Sequence, residues 1–151
     1  IIAAARTAAY RRDPRSVTNF GLSPNGGTLA LFAPDSPATV PASAWVDYPA
    51  QRYDYSITVM PETPPRPWPV ASFDQLSAEH FALLEQDAPD VVILGTGERQ
   101  RFVHPRLVAA LAARQIGVEC MDNHAACRTY NILMDEGRRV TLALVIGAPP
   151  A

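Results

Sequence analysis

Apolar residues in the second half of the chain alternate between unbroken runs and stripes at helical spacing. Val91-Val92-Ile93-Leu94 is continuous and ends at Gly95, the pattern of a strand buried on both faces. Pro105 suits the first position of a helix in which Leu107, Val108, Leu111 and Ala112 share a face, with Gly117 placed to end it. Val118 to Met121 predicts the next strand. Asn123 then opens a helix carrying Ala126, Tyr130 and Leu133 at helical spacing, closed by Gly137. In the run from Val140 to Ile146, Val140, Leu142, Leu144 and Ile146 fall on one face and the smaller Thr141 and Ala143 on the other. Upstream, Ser77 is placed to cap a helix running to Gln86, with Phe81 and Leu84 on one face and Glu79 near the positive end of its dipole.

The first half has a different rhythm because proline interrupts it. Of 15 prolines, 11 lie at or before Pro69. Proline fixes φ and lacks an N–H, so it is confined to edges, turns and first helical turns. Short runs with β character remain at Thr28 to Phe32, Ala44 to Val46 and Tyr55 to Val59, and the Asn25-Gly26 pair signals a turn. These predict a small antiparallel layer. The stretch from Pro61 to Pro69 reads as an extended, polyproline-like crossing over the surface.

Strands that alternate with helices require right-handed crossovers and a parallel sheet. The expected fold class is therefore α/β: a three-layer single domain with a mostly parallel central sheet, flanking helices and an additional N-terminal β layer. Its length of 151 residues suits one domain, expected over residues 19–147, between a flexible segment 1–18 and a tail 148–151. With 48% hydrophobic and 19% charged residues the composition is globular and not that of a disordered chain. All 13 basic residues are arginine, yet the net charge is −2 and no segment is basic enough to argue for nucleic acid. Two cysteines are too few for a secreted disulfide scaffold. Arg6 interrupts the apolar start, so neither a signal peptide nor a membrane span is expected, and the expected location is cytoplasmic.

In open α/β sheets ligands bind beyond the carboxyl ends of the parallel strands, so two loops carry the candidate chemistry. The first runs from Gly95 to Phe102 and the second from Asp122 to Asn131. Gly95 and Gly97 open like a dinucleotide-binding turn, but Gln100 stands where the third glycine belongs and the next helix starts late. Arg99 and Arg101 offer paired donors to phosphate or carboxylate; ion pairs to Glu98, Glu119 or Asp122 would occupy them instead. Cys120, His124 and Cys127 supply three zinc-type ligands where a closed site needs four, and packing is the simpler role for Cys120. Cys127, near a helix start, could carry a lowered pKa. No G-x-S-x-G elbow accompanies His124, and Trp45 and Trp68 read as cover for the core.

The same loops carry a resemblance. The string LGTGERQRF from Leu94 to Phe102, Gly117-Val118-Glu119 and the string from Ala125 to Leu133 are similar to the bacterial relatives of mitochondrial respiratory complex I assembly factor 3. Tyr55-Ser56-Ile57 and Trp68-Pro69-Val70 fit the same pattern. The resemblance covers Asn19 to Val145 and implies a compact three-layer α/β domain with no established reaction or cofactor. It also implies a protein partner, such as respiratory complex subunits or assembly factors. His124 stands where the family more commonly has a small residue, so the resemblance assigns it no role. The expected function is thus a non-enzymatic protein-interaction domain assisting assembly of a respiratory or membrane protein complex. The alternative is a small-anion or nucleotide-like ligand-binding protein or enzyme, using a cleft between the two loops. The candidate surface comprises Thr96, Gly97, Arg99, Gln100, Arg101, Asp122, Cys127, Arg128, Thr129 and Asn131. No catalytic residue, metal or cofactor is expected.

Overall fold

The computed structural model describes residues 19–22, 29–32, 50–61 and 63–148. Strands β1 (Asn19–Leu22), β2 (Leu29–Phe32) and β3 (Ala50–Tyr53) form an antiparallel sheet in that order. The expected small antiparallel layer is present. Its members differ in part from the expectation: β1 and β3 carry no clear alternation in sequence, while Ala44 to Val46 and the Asn25-Gly26 pair lie outside the described residues.

The main sheet has five strands in the order β5-β4-β8-β6-β7. These are β4 (Ile57–Met60), β5 (Thr63–Pro67), β6 (Val91–Gly95), β7 (Gly117–Met121) and β8 (Val140–Leu144). Strands β8, β6 and β7 are parallel, whereas β4 pairs antiparallel with both β5 and β8. The sheet is mixed because β4 alone runs against its neighbours. The stretch expected to cross the surface as a polyproline segment is instead the edge strand β5. Pro64, Pro65 and Pro67 lack amide donors, and an edge position is where a sheet tolerates them.

Among the described residues three α-helices cover the main sheet: α1 (Ala78–Glu85), α2 (Ala109–Ala113, preceded by a 3-10 turn at Pro105–Val108) and α3 (Asn123–Asp135). On one face, Trp68, Phe81, Leu84 and Leu111 pack against Val92, Leu94 and Ala143. On the other, Ala126, Cys127, Tyr130 and Met134 of α3 pack against Ile57, Val59, Ile93, Leu142 and Leu144. Strand β8 thus feeds both cores through its period of two, as its sequence predicts. From β6 the chain moves outward to β7 by way of α2, then returns to β8 by way of α3 on the opposite face. Right-handed crossovers demand that change of face when the direction reverses.

Helix boundaries show where local sequence decides. At α1, Ser77 is the N-cap and the His80 imidazole reaches back to accept from the Ser77 amide at 3.1 Å. At α3 the cap is Asp122, whose carboxylate accepts from the Ala125 amide at 2.9 Å, so Asn123 is the first helical residue. Gly137 closes α3 at φ +83°, a conformation that favours glycine. Helix α2 ends differently from the expectation. Gln115 takes the left-handed conformation at φ 61° while the Ile116 amide bonds back to the Leu111 carbonyl at 2.9 Å, so Gly117 is released to start β7.

Ser56 fastens the start of the main sheet. Fully buried, it donates from Oγ to the Val70 carbonyl at 2.7 Å and accepts from the Ile146 amide at 2.9 Å. Its own amide bonds to the Gly147 carbonyl at 2.9 Å, and its carbonyl accepts from the Trp68 amide at 2.9 Å. Tyr55-Ser56-Ile57 and Trp68-Pro69-Val70 are therefore joined in space.

Candidate functional site

The two candidate loops leave the carboxyl ends of β6 and β7, which are neighbours in the sheet. They are stitched together. The Thr96 amide donates to the Met121 carbonyl at 2.9 Å, and the Asn123 amide to the Gly97 carbonyl at 2.9 Å. Asn123 Oδ1 accepts from the Gly97 amide at 3.0 Å, while its Nδ2 donates to the Val145 carbonyl at 3.0 Å, tying in the end of β8. Gln100 Nε2 closes the outer side on the Cys120 carbonyl at 2.9 Å. Where a cleft between the loops is expected, the chain instead makes direct hydrogen bonds.

Asn123 is the residue at the centre of this rim. It is only 3% exposed, and both functions of its amide are used. The close approach explains Gly95, since a β-carbon there would overlap Asn123 Oδ1 and sit 2.5 Å from Leu144 Cδ2. In the sequence Asn123 reads only as a helix opener. Its contact with β8 depends on strand order, which no local pattern encodes.

The predicted residues divide into anchors and exposed groups. Thr96 is buried, donates to the Arg99 carbonyl at 2.7 Å and accepts from the Arg101 amide at 3.1 Å, which folds the loop back on itself. Arg101 pairs with Asp74 at 2.8 Å and lies 4.0 Å above the centre of the Phe73 ring. Its partner is thus the 3-10 turn at Phe73–Gln75, and none of the three acids expected from sequence. Asp122 caps α3; Thr129 and Asn131 are half-buried further along it. Arg99, Gln100 and Arg128 are exposed. Phe102, beside them in the chain, is 77% exposed. An apolar ring held out on an anchored loop was signalled in sequence only by its company of glycine and arginine.

Thiol and metal chemistry find no support in the geometry. Cys127 is fully buried in the core beneath α3, and burial pushes its thiol far above the ordinary cysteine range despite the nearby Arg128. The lowered pKa considered from its place near the helix start is reversed by desolvation. Cys120 packs on the opposite face of the sheet, where burial likewise raises its pKa against a hydrogen bond from the Val103 backbone. The cysteines of the trio are therefore separated by the sheet. Among the described residues no cluster of three or more His, Cys, Asp or Glu could hold a metal ion. Burial lowers the pKa of His124, opposed by Asp122 and reinforced by Arg128. The amides at the start of α3 are also engaged, Asn123 with Gly97, Ala125 and Ala126 with Asp122, so few donors point outward for an anion.

A cavity of about 250 Å³ at the other end of the sheet is bounded by Met60, Pro89, Met134, Val140 and Thr141, with Arg138 at its edge. No helix among the described residues is long and apolar enough to cross a membrane.

Fold and rim together define a class: a small α/β domain with helices on both faces of one mixed sheet and an anchored two-loop rim at the ends of its parallel strands. Residues 42–145 match the family model described as a protein of unknown function (DUF498/DUF598), and the chain belongs to that family. It is 36% identical over 80 residues to the NADH dehydrogenase (ubiquinone) 1 alpha subcomplex assembly factor 3 of Bos taurus, a match covering 52% of this chain and 44% of that protein. The chain thus spans less than half the length of that curated relative. Among solved structures, a protein from Bordetella parapertussis superposes with a TM-score of 0.65 at 34% identity, covering 87% of this chain and 94% of its own. A Bordetella pertussis protein described as a Mth938-like domain gives a TM-score of 0.56 at 35% identity, covering 66% and 79%. The resemblance carried by the loop strings is borne out.

Proposed function

We propose that this domain is a non-enzymatic protein-interaction module that assists assembly of a respiratory or other membrane protein complex, and that its β6–β7 rim is the face that meets the partner. The observation that carries the reading is Phe102, 77% exposed on a loop anchored to β7, α3 and the Phe73–Gln75 turn. Rigid aromatic side chains bordered by arginine supply apolar area at small entropic cost, the usual make-up of an interface hot spot. Arg99 and Arg128 supply exposed charge for orientation on the same rim. The relative named as an assembly factor supports the choice of partner class. Thr96, Gly97, Gln100, Arg101, Asp122 and Asn123 hold the surface in shape.

The test is capture of NADH dehydrogenase subunits from membranes of the native organism by the tagged domain. Phe102→Ser should weaken capture about thirtyfold or more, and Arg99→Glu should slow association in a salt-dependent way. Both variants should melt like the parent. Capture that is unaffected by both changes, or the recovery of no such subunit, would refute this assignment.

A further inference from the structure

We propose that the cavity at the amino-terminal ends of β6 and β8 binds a small apolar monocarboxylate, such as a medium-chain fatty acid or an arylacetate. It lies at the opposite end of the sheet from the rim and is independent of the partner assigned there. Three observations converge on this ligand class. The first is the wall, formed by Met60, Pro61, Pro89, Met134 and Val140, whose adaptable thioethers and rigid rings suit a hydrocarbon body. Its volume of about 250 Å³ holds roughly eight water-sized groups, which matches an eight-carbon chain or a substituted phenyl ring.

The second is Thr141, which lines the cavity with no solvent exposure and whose hydroxyl has no hydrogen-bond partner. A β-branched valine would fill the same space in a strand without stranding a polar group. The hydroxyl is closed to water, so a ligand oxygen reaches it when a flexible neighbour that shares the cavity wall, such as Met60, shifts aside. The third is the balance of charge at the mouth. Asp87 is neutralised by Arg66 at 2.6 Å, and Arg139 is held by Asp90 at 3.7 Å. Arg138 also lines the cavity, is exposed, and makes no ion pair among the described residues. A guanidinium beside an apolar pocket selects an anionic head on a hydrocarbon tail.

Thermal shift and methyl NMR with the purified domain test the assignment, using octanoate and phenylacetate as probes. Octanol and octylammonium are the uncharged and cationic controls. Either carboxylate should raise the melting temperature by mass action, with a millimolar Kd, and move the Met60 and Met134 methyl signals. The two controls should bind far less well. Arg138→Gln, at an exposed position that leaves folding intact, should weaken carboxylate binding about tenfold. Thr141→Val should weaken it without lowering the melting temperature of the free domain. Absence of binding by both carboxylates, equal shifts with octanol or octylammonium, or unchanged affinity in Arg138→Gln would overturn the proposal.

Discussion

Replacing Gly95 by alanine tests whether the rim is as tightly sewn as its hydrogen bonds indicate. The added β-carbon would overlap Asn123 Oδ1 and approach Leu144 Cδ2 to 2.5 Å. Leu144 can give by rotating the end of its side chain. Asn123 cannot, because its amide is held at both ends, by the Gly97 amide and the Val145 carbonyl. Displacing it strands polar groups in a site only 3% exposed, which costs about 1 to 3 kcal/mol. Overpacking adds about 1 to 3 kcal/mol, and the smaller entropy of an unfolded chain with alanine returns roughly 0.4 to 1 kcal/mol. The net loss should be about 1 to 5.6 kcal/mol, a large share of the roughly 5 to 15 kcal/mol that holds a domain together. Urea titration should show a lower midpoint at unchanged slope. In an Asn123→Ala background the obstacle is gone, so Gly95→Ala should cost at least about 1 kcal/mol less there than in the parent. Additive losses in the two variants, or a loss below about 0.5 kcal/mol for Gly95→Ala alone, would refute the reasoning.

Three further predictions probe other parts of the molecule. Ser56→Ala removes partners from the Val70 carbonyl and the Ile146 amide, so equilibrium unfolding should show a loss of about 2 to 4 kcal/mol. With iodoacetamide followed by mass spectrometry, Cys120 should label slowly in the native protein and Cys127 only on unfolding; rapid native labelling of Cys127 would contradict its burial. Burial lowers the His124 pKa, so the folded state binds fewer protons than the unfolded state below the ordinary imidazole value. Stability contributed by neutral His124 is therefore lost as pH falls through that value, and His124→Gln should flatten the decline in urea midpoint between about pH 7 and pH 5; an unaltered pH profile would count against it.

How far the sequence reveals this molecule depends on whether the deciding interactions are local. Helix α3, β6 and β8 are legible because their apolar spacing, caps and glycine stops lie within each segment, and Gly137 does close α3. Strand β5 is not legible, because proline argues against pairing until the topology makes that strand an edge. Gln115 displaces Gly117 as the stop of α2 because the return of Ile116 to Leu111 fixes the turn one step early, at a conformational cost that its sequence does not advertise. At the rim, the two loops could be named from the strands they follow, and they do meet. What they do there is set by long-range partners: Asp74 for Arg101, Gly97 and Val145 for Asn123, the core for Cys127. Polar residues that read as a binding surface are in part bonded within the protein itself.

The proposed role of the rim is tested most directly by site-specific photocrosslinking in living cells. A photoreactive phenylalanine at position 102 should form a covalent adduct with a subunit or assembly protein of NADH dehydrogenase, and the same group at the exposed Arg138 position should not. Adducts to such proteins from position 138 and none from position 102 would contradict the account.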